Sequence, residues 1–510
     1  MLDFDSYYRA MASRDARFDG SFYVAVTTTG VYCRPVCGSR TPKPENVRFF
    51  RIAAAAEAAG FRACRRCRPE AAPSSPEWNV RGDLVARALR LIASGAVDEI
   101  GVAGVARQLA VSERHLHRQL VAEVGVGPLA LALNRRTQVA RLLIESSALL
   151  LSEVALASGY SSVRQFNDGM RAAFGCSPTE LRRACGGGAG PGPQAPGRSG
   201  PLVLRLRYRP PFDGAALLAW LGERAVPGVE ETDGNRYRRT LRLPRGTGTA
   251  ELDLTVTAGG GGCRTRQQHV TLRLTLADLR DVTAAVRRCR DLLDLDADPA
   301  AIGEALSPDP WLGPLVRAAP GLRMPGCAHG FEPALQVVLG QFAPLAEVRT
   351  VCARLAARCG EPVAGAAEGR PGRLFPSAGA LADADLGAFG LRGGPATAVR
   401  ALACAVADGK LSLERDADRE ETTARLRELP GVSGWAVQRI AMHSLGDPDA
   451  FAPQDPRVRA AARALGLAGA RGGGRLAEHA RGWQPWRSYA ALHLQEAAPA
   501  EPEPLARRPC

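Results

Sequence analysis

The chain contains very little lysine. Only Lys43 and Lys410 occur in 510 residues, although lysine and arginine together number 66. Catalysis through a lysine Schiff base therefore has almost no candidate residue. Apolar runs long enough to cross a membrane are also missing, so we expect no membrane partner. The acidic start Met1–Asp5 is unlike a signal peptide and favours a cytoplasmic protein.

Most of the cysteines lack the spacing of metal ligands. Nine of the thirteen are isolated in this sense, and we interpret them as ordinary core or surface thiols in a reducing compartment. These nine are Cys176, Cys185, Cys263, Cys289, Cys327, Cys352, Cys359, Cys404 and Cys510.

The positive charge is large and widely distributed. The formal net charge is +14 at pH 7, and arginines occur throughout the chain. Such a surface favours nucleic acid as the partner, and hence association with the nucleoid. The alternative is a generically basic surface.

The length and the composition predict a multidomain α+β protein, because 510 residues exceed a single core. Alternating apolar stretches such as 202–206, 240–243 and 270–274 predict strands of an antiparallel sheet. We divide the chain into a cysteine unit (1–75), a helical unit (78–185), a Gly/Pro linker (186–200), a sheet unit (201–300), a second helical unit (301–495) and a tail (496–510).

The four remaining cysteines have the spacing of zinc ligands. Cys33 and Cys37 form C-x3-C, and Cys64 and Cys67 form C-x2-C after a 26-residue gap. Zn²⁺ is the expected cofactor, either as a structural ion or as an activator of one thiolate for nucleophilic attack. The flanking arginines are expected to face a polyanion, DNA; they are Arg34, Arg65 and Arg66.

A zinc-bound thiolate could take up a methyl group. Its conversion into a thioether would remove one negative charge from the site and strengthen DNA binding. The sequences 14–20, 28–37, 45–50 and 59–67 closely resemble the N-terminal domain of the Ada family. The resemblance implies that Cys33 accepts the methyl group from DNA methylphosphotriesters and that the other three cysteines hold the zinc.

Two helix-turn-helix patterns follow, at 102–124 and 152–174. Their second helices carry polar residues that could visit two successive major grooves: Arg114, His115 and Arg118 in the first copy, Arg164 and Gln165 in the second. The pair resembles the AraC-type DNA-binding domain, which Ada proteins carry in the same order. The Pro-Cys-His-Arg motif of the Ada methyltransferase domain is absent from this chain, so repair of alkylated guanine oxygen is not predicted.

The last helical unit contains a helix-hairpin-helix pattern at 426–437. Backbone N–H groups of such a turn can hold a DNA phosphate, and the expected residues are Gly431, Ser433 and Gly434. Asp455 follows in a Pro-Gln-Asp-Pro sequence and could face an everted base. Alternatively, Asp455 is only a helix N-cap.

The sequence from about Leu202 to Gln495 resembles AlkA-type 3-methyladenine glycosylases. The motifs that carry this resemblance are 209–213, 321–327, 331–334, 338–341, 445–451 and 483–490. It implies an all-α helix-hairpin-helix domain with Asp455 as the catalytic carboxylate and with Gln341 and Trp435 at the base pocket. Trp435 in place of a lysine implies a monofunctional enzyme.

The chain departs from the AlkA pattern in four places. The segment 342–345 after Gln341 lacks the usual valine-serine. The hairpin has Ser433 where a glycine is usual, Arg439 replaces the pocket tyrosine, and Gln495 replaces the late tryptophan. The loss of stacking aromatics should weaken the hold on a cationic base by roughly 1–3 kcal/mol each.

Two functions remain open at this point. The first is a monomeric sensor and repair enzyme that accepts a methyl group on Cys33, activates repair genes with RNA polymerase, and excises alkylated purines from double-stranded DNA. The second is a transcriptional regulator whose C-terminal half is a non-catalytic DNA-binding module. A third and simpler hypothesis concerns the cysteines alone, which would form a structural zinc site without chemistry.

Overall fold

The computed structural model describes most of the chain. The described residues are 4–14, 18, 22–37, 39–50, 56, 59–64, 84–85, 88–89, 91–92, 95–124, 126–146, 149–184, 201–255, 269–366, 369–415, 417–467 and 473–498. Several predicted features lie outside them: Arg65, Arg66, Cys67, Cys185, Cys263, Cys510, the linker 186–200 and residues 499–510 of the tail. In the described parts, no helix is both long enough and apolar enough to cross a membrane.

The cysteine unit is a helix followed by a small sheet. The elements are α1 (Phe4–Ser13), β1 (Tyr23–Val26), β2 (Val31–Cys33), β3 (Val47–Phe50) and β4 (Arg62–Ala63). The strand order is β3-β1-β2-β4, in which β1 is antiparallel to both neighbours and β2 is parallel to β4. Tyr23, Ala25 and Tyr32 are almost fully buried, so one face of this sheet has its own apolar contacts.

Helix α1 packs against the far end of the chain. The Arg9 side chain donates a hydrogen bond to the Gln484 carbonyl at 3.2 Å, and the rings of Phe18 and Trp486 meet nearly at right angles, 5.1 Å apart. The buried Met11 belongs to the same apolar cluster as Trp486. The cysteine unit therefore shares a core with the C-terminal helices.

Both predicted helix-turn-helix patterns are confirmed as helix pairs. The helices are α2 (Ala96–Gln108), α3 (Glu113–Val124), α4 (Pro128–Ser146), α5 (Leu151–Ala157), α6 (Val163–Phe174) and α7 (Pro178–Ala184). Helix α2 is interrupted at Gly101, and Ser162 caps α6 by accepting the Gln165 N–H. Leu116 and Phe166 are fully buried and anchor the second helix of each pair.

The predicted antiparallel sheet is also confirmed. It contains β5 (Leu202–Arg207), β6 (Glu230–Asp233), β7 (Arg236–Leu243), β8 (Gly246–Asp253) and β9 (His269–Leu276) in the order β5-β9-β8-β7-β6. Strands β6 and β8 were not predicted. Strand β6 is charged and lies at the edge of the sheet, and the glycines of β8 weaken its strand signal. Leu204, Leu252 and Leu272 are fully buried against the helices.

One helix crosses the sheet unit, and twelve further helices follow the last strand within the described part. They are α8 (Gly214–Arg224), α9 (Val282–Leu292), α10 (Pro299–Leu306), α11 (Leu312–Ala318), α12 (Phe331–Gly340), α13 (Leu345–Cys359), α14 (Ala378–Ala382), α15 (Gly394–Ala407), α16 (Arg419–Glu428), α17 (Gly434–His443), α18 (Pro456–Ala464), α19 (Gly473–His479) and α20 (Arg487–Glu496). Leu335, Val338 and Ile440 are fully buried where α12 packs on α17. This packing fixes the hairpin before α17.

Buried His493 on α20 makes stability depend on pH. Burial lowers its pKa to about 4, well below the unfolded value of 6.5. The native state therefore binds fewer protons than the unfolded state between these values, and stability is lost as pH falls through this window. We expect His493→Gln to flatten the urea stability profile between pH 7 and 5 by roughly 2 kcal/mol. Equal slopes for both proteins would contradict this assignment.

Candidate zinc centre, DNA-binding surface and base pocket

Strand pairing brings three of the four predicted zinc ligands together. Cys33 ends β2 and Cys64 follows β4, and the Cys64 N–H donates to the Tyr32 carbonyl at 2.9 Å. A turn returns Cys37 to the same place, with its N–H donating to the Arg34 carbonyl at 3.1 Å. The three Sγ atoms lie within 4.8 Å of one another.

The donor set of this cluster fits zinc. Three thiols converge, and sulfur atoms around a tetrahedral zinc ion lie about 3.8 Å apart, so only small shifts are needed. The Ser39 hydroxyl donates a hydrogen bond to the Cys37 Sγ at 3.3 Å, which favours the thiolate. Cys33 is 8% exposed, whereas Cys64 is half-buried. Bound zinc would hold these sulfurs deprotonated at neutral pH.

The second helices of both helix-turn-helix pairs present polar side chains to solvent. Arg114 and Arg118 are exposed on α3, and a 3.1 Å contact joins the Arg118 guanidinium to His115 Nδ1. Arg164 and Gln165 are exposed on α6. Both helices therefore carry hydrogen-bonding groups on the face opposite their buried anchors, as a major-groove reader requires.

The hairpin between α16 and α17 is held from behind by Gln341. Its amide nitrogen donates to the Gly431 carbonyl at 3.3 Å, and its oxygen accepts the Ser433 N–H at 2.8 Å. Gly431, Ser433 and Gly434 are exposed. The structure thus places Gln341 on the hairpin rather than among the residues that line the pocket.

Gly431 is required by the hairpin backbone. Its φ is +79°, and an added Cβ would lie 2.9 Å from the Ala398 Cβ. We expect Gly431→Ala to lower the free energy of unfolding by about 2–4 kcal/mol through backbone strain and overpacking. Gly390→Ala is the matched control, since Gly390 has φ +82° and open space around it. Equal losses for the two variants in urea denaturation would show that the contact with Ala398 is unimportant.

Asp455 uses its two oxygens differently. Oδ1 accepts the N–H groups of Arg457 and Val458 and caps α18. Oδ2 accepts the indole N–H of Trp435 at 3.0 Å and lies 3.9 Å from the Arg439 guanidinium. The N-cap interpretation is therefore correct for one oxygen, while the other is presented to the pocket.

A small cavity lies directly in front of Asp455, and we call it the base pocket. It is lined by Gln438, Arg439, Met442, Ala450, Ala452, Asp455, Val458, Ala491 and Gln495. Its free volume is only about 10 Å³. At this volume the cavity does not hold a purine, and Arg439, Met442 and Gln495 are among the longest side chains that line it.

The sheet unit also contributes side chains near the base pocket, and these were not predicted. The rings of Trp220 on α8 and the buried His443 are tilted by 34°, with centroids 5.0 Å apart. The Arg224 guanidinium lies 4.2 Å from the Trp220 ring centroid. The spacing of four residues between Trp220 and Arg224 on one helix was the available signal. Phe342, next to the hairpin anchor Gln341, is 43% exposed and was also not assigned a role.

These units together define a multidomain DNA-binding protein of the DNA-repair class. Residues 6–70 match the metal-binding domain of Ada, residues 105–184 match a helix-turn-helix domain, and residues 203–329 match the AlkA N-terminal domain. The Ada-type and AlkA-type resemblances are thereby confirmed.

Relatives with known names cover nearly the whole chain. A probable bifunctional transcriptional activator/DNA repair enzyme AlkA of Mycobacterium tuberculosis is 47% identical over 96% of both chains. DNA-3-methyladenine glycosylase 2 of Escherichia coli is 32% identical over 57% of this chain and 96% of its own length. The chain belongs to the family of bifunctional transcriptional activator/DNA repair enzymes AlkA.

Two partial matches agree with this division of the chain. The Escherichia coli bifunctional transcriptional activator/DNA repair enzyme Ada is 40% identical over 25% of this chain and 34% of its own length. A solved 3-methyladenine DNA glycosylase from Archaeoglobus fulgidus covers 57% of this chain and 97% of its own, with a TM-score of 0.50 and 17% identity. At that identity the structural likeness shows a shared fold.

Proposed function

We propose that the chain detects DNA alkylation, activates repair genes and excises alkylated purines of the 3-methyladenine type. The main support for the excision activity is that the two oxygens of Asp455 have different hydrogen-bond partners. One oxygen is consumed by the helix cap, which fixes the carboxylate, while Trp435 directs the other toward the base pocket. An N-cap alone would not need a hydrogen-bond donor on its second oxygen, and Trp435 supplies one.

The excision step follows from this geometry. The Asp455 carboxylate stabilises the oxocarbenium character that develops on the sugar as the C1′–N9 bond breaks. It also accepts a hydrogen bond from the attacking water and orients it toward C1′. Trp435 has no amine to form a Schiff base with the sugar, which supports a monofunctional hydrolase.

The DNA would be held beside the pocket by the hairpin. Exposed backbone at Gly431 and Gly434 can approach a phosphate closely, and Gln341 fixes its shape. The exposed ring of Phe342, next to Gln341, would fill the gap left by an everted base. Neither contact reads base identity, so the lesion itself is selected in the pocket.

Methyl transfer is assigned to Cys33. Attack of its thiolate on the methyl carbon of a phosphotriester breaks the C–O bond and leaves a phosphodiester anion. The sulfur becomes a neutral thioether, and the local negative charge falls by one. Arg34 lies in the turn between Cys33 and Cys37, where its charge favours an approaching phosphate.

The helix-turn-helix unit would bind promoter DNA and so activate the repair genes. Arg114, Arg118, Arg164 and Gln165 are the proposed contacts to promoter DNA. Activation implies contact with RNA polymerase, and we propose a monomer that works in the cytoplasm at the nucleoid. Release of 3-methyladenine from methylated duplex DNA by the intact chain tests the enzyme. If none is released at high protein concentration, the chain is a regulator with a non-catalytic DNA-binding half.

A further inference from the structure

The base pocket contains a buried cation as well as the buried carboxylate. Arg439 lines the cavity, its side chain is only 12% exposed, and its Nη1 lies 3.9 Å from Asp455 Oδ2, beyond hydrogen-bond distance. Among the described residues, its Nε has no hydrogen-bond partner. Arg439 therefore keeps donor capacity for a molecule that enters the pocket.

The surroundings of Arg439 add positive charge. Arg457 donates to the Gln495 carbonyl at 2.9 Å on α20. Arg224 lies on α8 beside Trp220 and pairs with the exposed Glu223 at 3.0 Å. Burial lowers the pKa of Arg224 to about 10, and the neighbouring charge of Arg439 is the second cause. Asp455 is the only acidic residue among those that line the pocket. Three arginines against the carboxylates of Asp455 and Glu223 leave the region in front of Asp455 with a net positive charge.

Such a pocket discriminates between two kinds of purine lesion. N-alkylated purines such as 7-methylguanine carry a positive charge before cleavage and are repelled by a guanidinium at close range in a poorly solvated site. A neutral purine is instead helped by a nearby positive charge. Its N9 receives the electron pair of the broken C1′–N9 bond, and the base leaves with developing negative charge.

We propose that Arg439 makes neutral purine lesions, which offer hydrogen-bond acceptors on the ring edge, preferred substrates of this pocket over cationic alkylpurines. This proposal rests on the excision activity proposed above. The guanidinium donates hydrogen bonds to the base and stabilises its developing charge. Water adds its oxygen to C1′ and its proton ends on the departing base, so the products are the neutral free base and a 1′-hydroxyl abasic sugar.

The test compares two duplexes that differ in the charge of one base. Single-turnover release is measured from DNA with one hypoxanthine, a neutral purine, and from DNA with one 7-methylguanine. The full-length wild type should release hypoxanthine faster than 7-methylguanine. Arg439→Gln should slow hypoxanthine release by about 10²-fold and speed 7-methylguanine release by about 10-fold. The reason is that the positive charge of Arg439 stabilises the departing hypoxanthine and repels the cationic 7-methylguanine.

The controls separate charge from folding. Arg439→Lys keeps the positive charge and should keep the wild-type order of the two rates. Arg463→Gln removes an exposed arginine from the same region of the chain and should change neither rate. Arg439→Met replaces Arg439→Gln if circular dichroism shows that the glutamine variant is unfolded.

The outcomes also separate this proposal from the proposed function. If both rates fall by the same factor in Arg439→Gln, or if the wild type releases only 7-methylguanine, the role of Arg439 is overturned while the glycosylase activity stands. If the wild type releases neither base but does release 3-methyladenine from methylated duplex DNA, the role of Arg439 is again overturned while the glycosylase activity stands. If it releases none of the three bases, the glycosylase assignment itself fails. Rates that move in opposite directions for the two duplexes support Arg439 as the specificity-determining residue.

Discussion

Asp455→Asn is expected to reduce the rate of base release by about 10³-fold or more, because the negative charge that stabilises the oxocarbenium ion is removed. The fold should survive. Asparagine is as good an N-cap as aspartate, and its single oxygen can still accept the N–H groups that begin α18. The lost hydrogen bond from Trp435 should cost only about 1 kcal/mol. Quantification of free 3-methyladenine under single-turnover conditions measures the effect.

Asp418→Asn is the matched control for this experiment. Asp418 caps α16 by accepting the Glu421 N–H at 2.9 Å, and it does not line the base pocket. The same chemical change there should leave excision intact. An Asp455→Asn protein that still excises at the rate of Asp418→Asn would remove Asp455 from the reaction and favour the non-catalytic alternative.

Cys33→Ser is expected to abolish methyl transfer from methylphosphotriester DNA. The variant loses the attacking sulfur and one zinc ligand together, and a serine hydroxyl is a far weaker nucleophile at neutral pH. Zinc affinity should fall at least about 10-fold, since the loss of even an outer partner of a ligand has that effect. Intact-mass spectrometry detects the added methyl group, and a chelator competition measures the zinc.

Peptide mapping of the wild type decides which sulfur reacts. The methyl group is expected on Cys33, although Cys64 is the more exposed of the two. A methyl group found on Cys64 instead would contradict the assignment, and an unmodified cluster would leave only a structural zinc site. Cys176→Ser is the control, because Cys176 is half-buried and lies outside the cluster. It should accept no methyl group and should not affect transfer.

The secondary-structure predictions that the structure confirmed depend on short stretches of chain. The two helix-turn-helix pairs follow from local apolar spacing, and strands β5, β7 and β9 from local alternation. Strands β6 and β8 were missed because their residues have little strand preference and form strands only through their neighbours in the sheet. Likewise, nothing in the local sequence showed that α1 packs against Trp486 and Gln484.

The base pocket shows the same difference between what local sequence predicts and what distant packing sets. The sequence identified Asp455 and noted Arg439 as a departure, but it left the N-cap and the catalytic readings as alternatives. The structure shows that Asp455 caps α18 with Oδ1 and presents Oδ2 to the pocket. Trp220 and Arg224 come from a different unit, more than two hundred residues earlier, and no spacing rule connects them to Asp455.

The chemical groups can be identified from the amino-acid sequence alone: the paired cysteines, the polar faces of the DNA-reading helices, the hairpin and the single carboxylate. Each is encoded by residues that are close in the chain, where spacing alone limits geometry. Which of these groups come into contact depends on packing between distant parts of the chain. The parallel pairing of β2 with β4 joins Cys33 to Cys64, and packing of the C-terminal helices places Arg439 before Asp455. Electrostatic character depends on distances through space, and those are set by long-range packing.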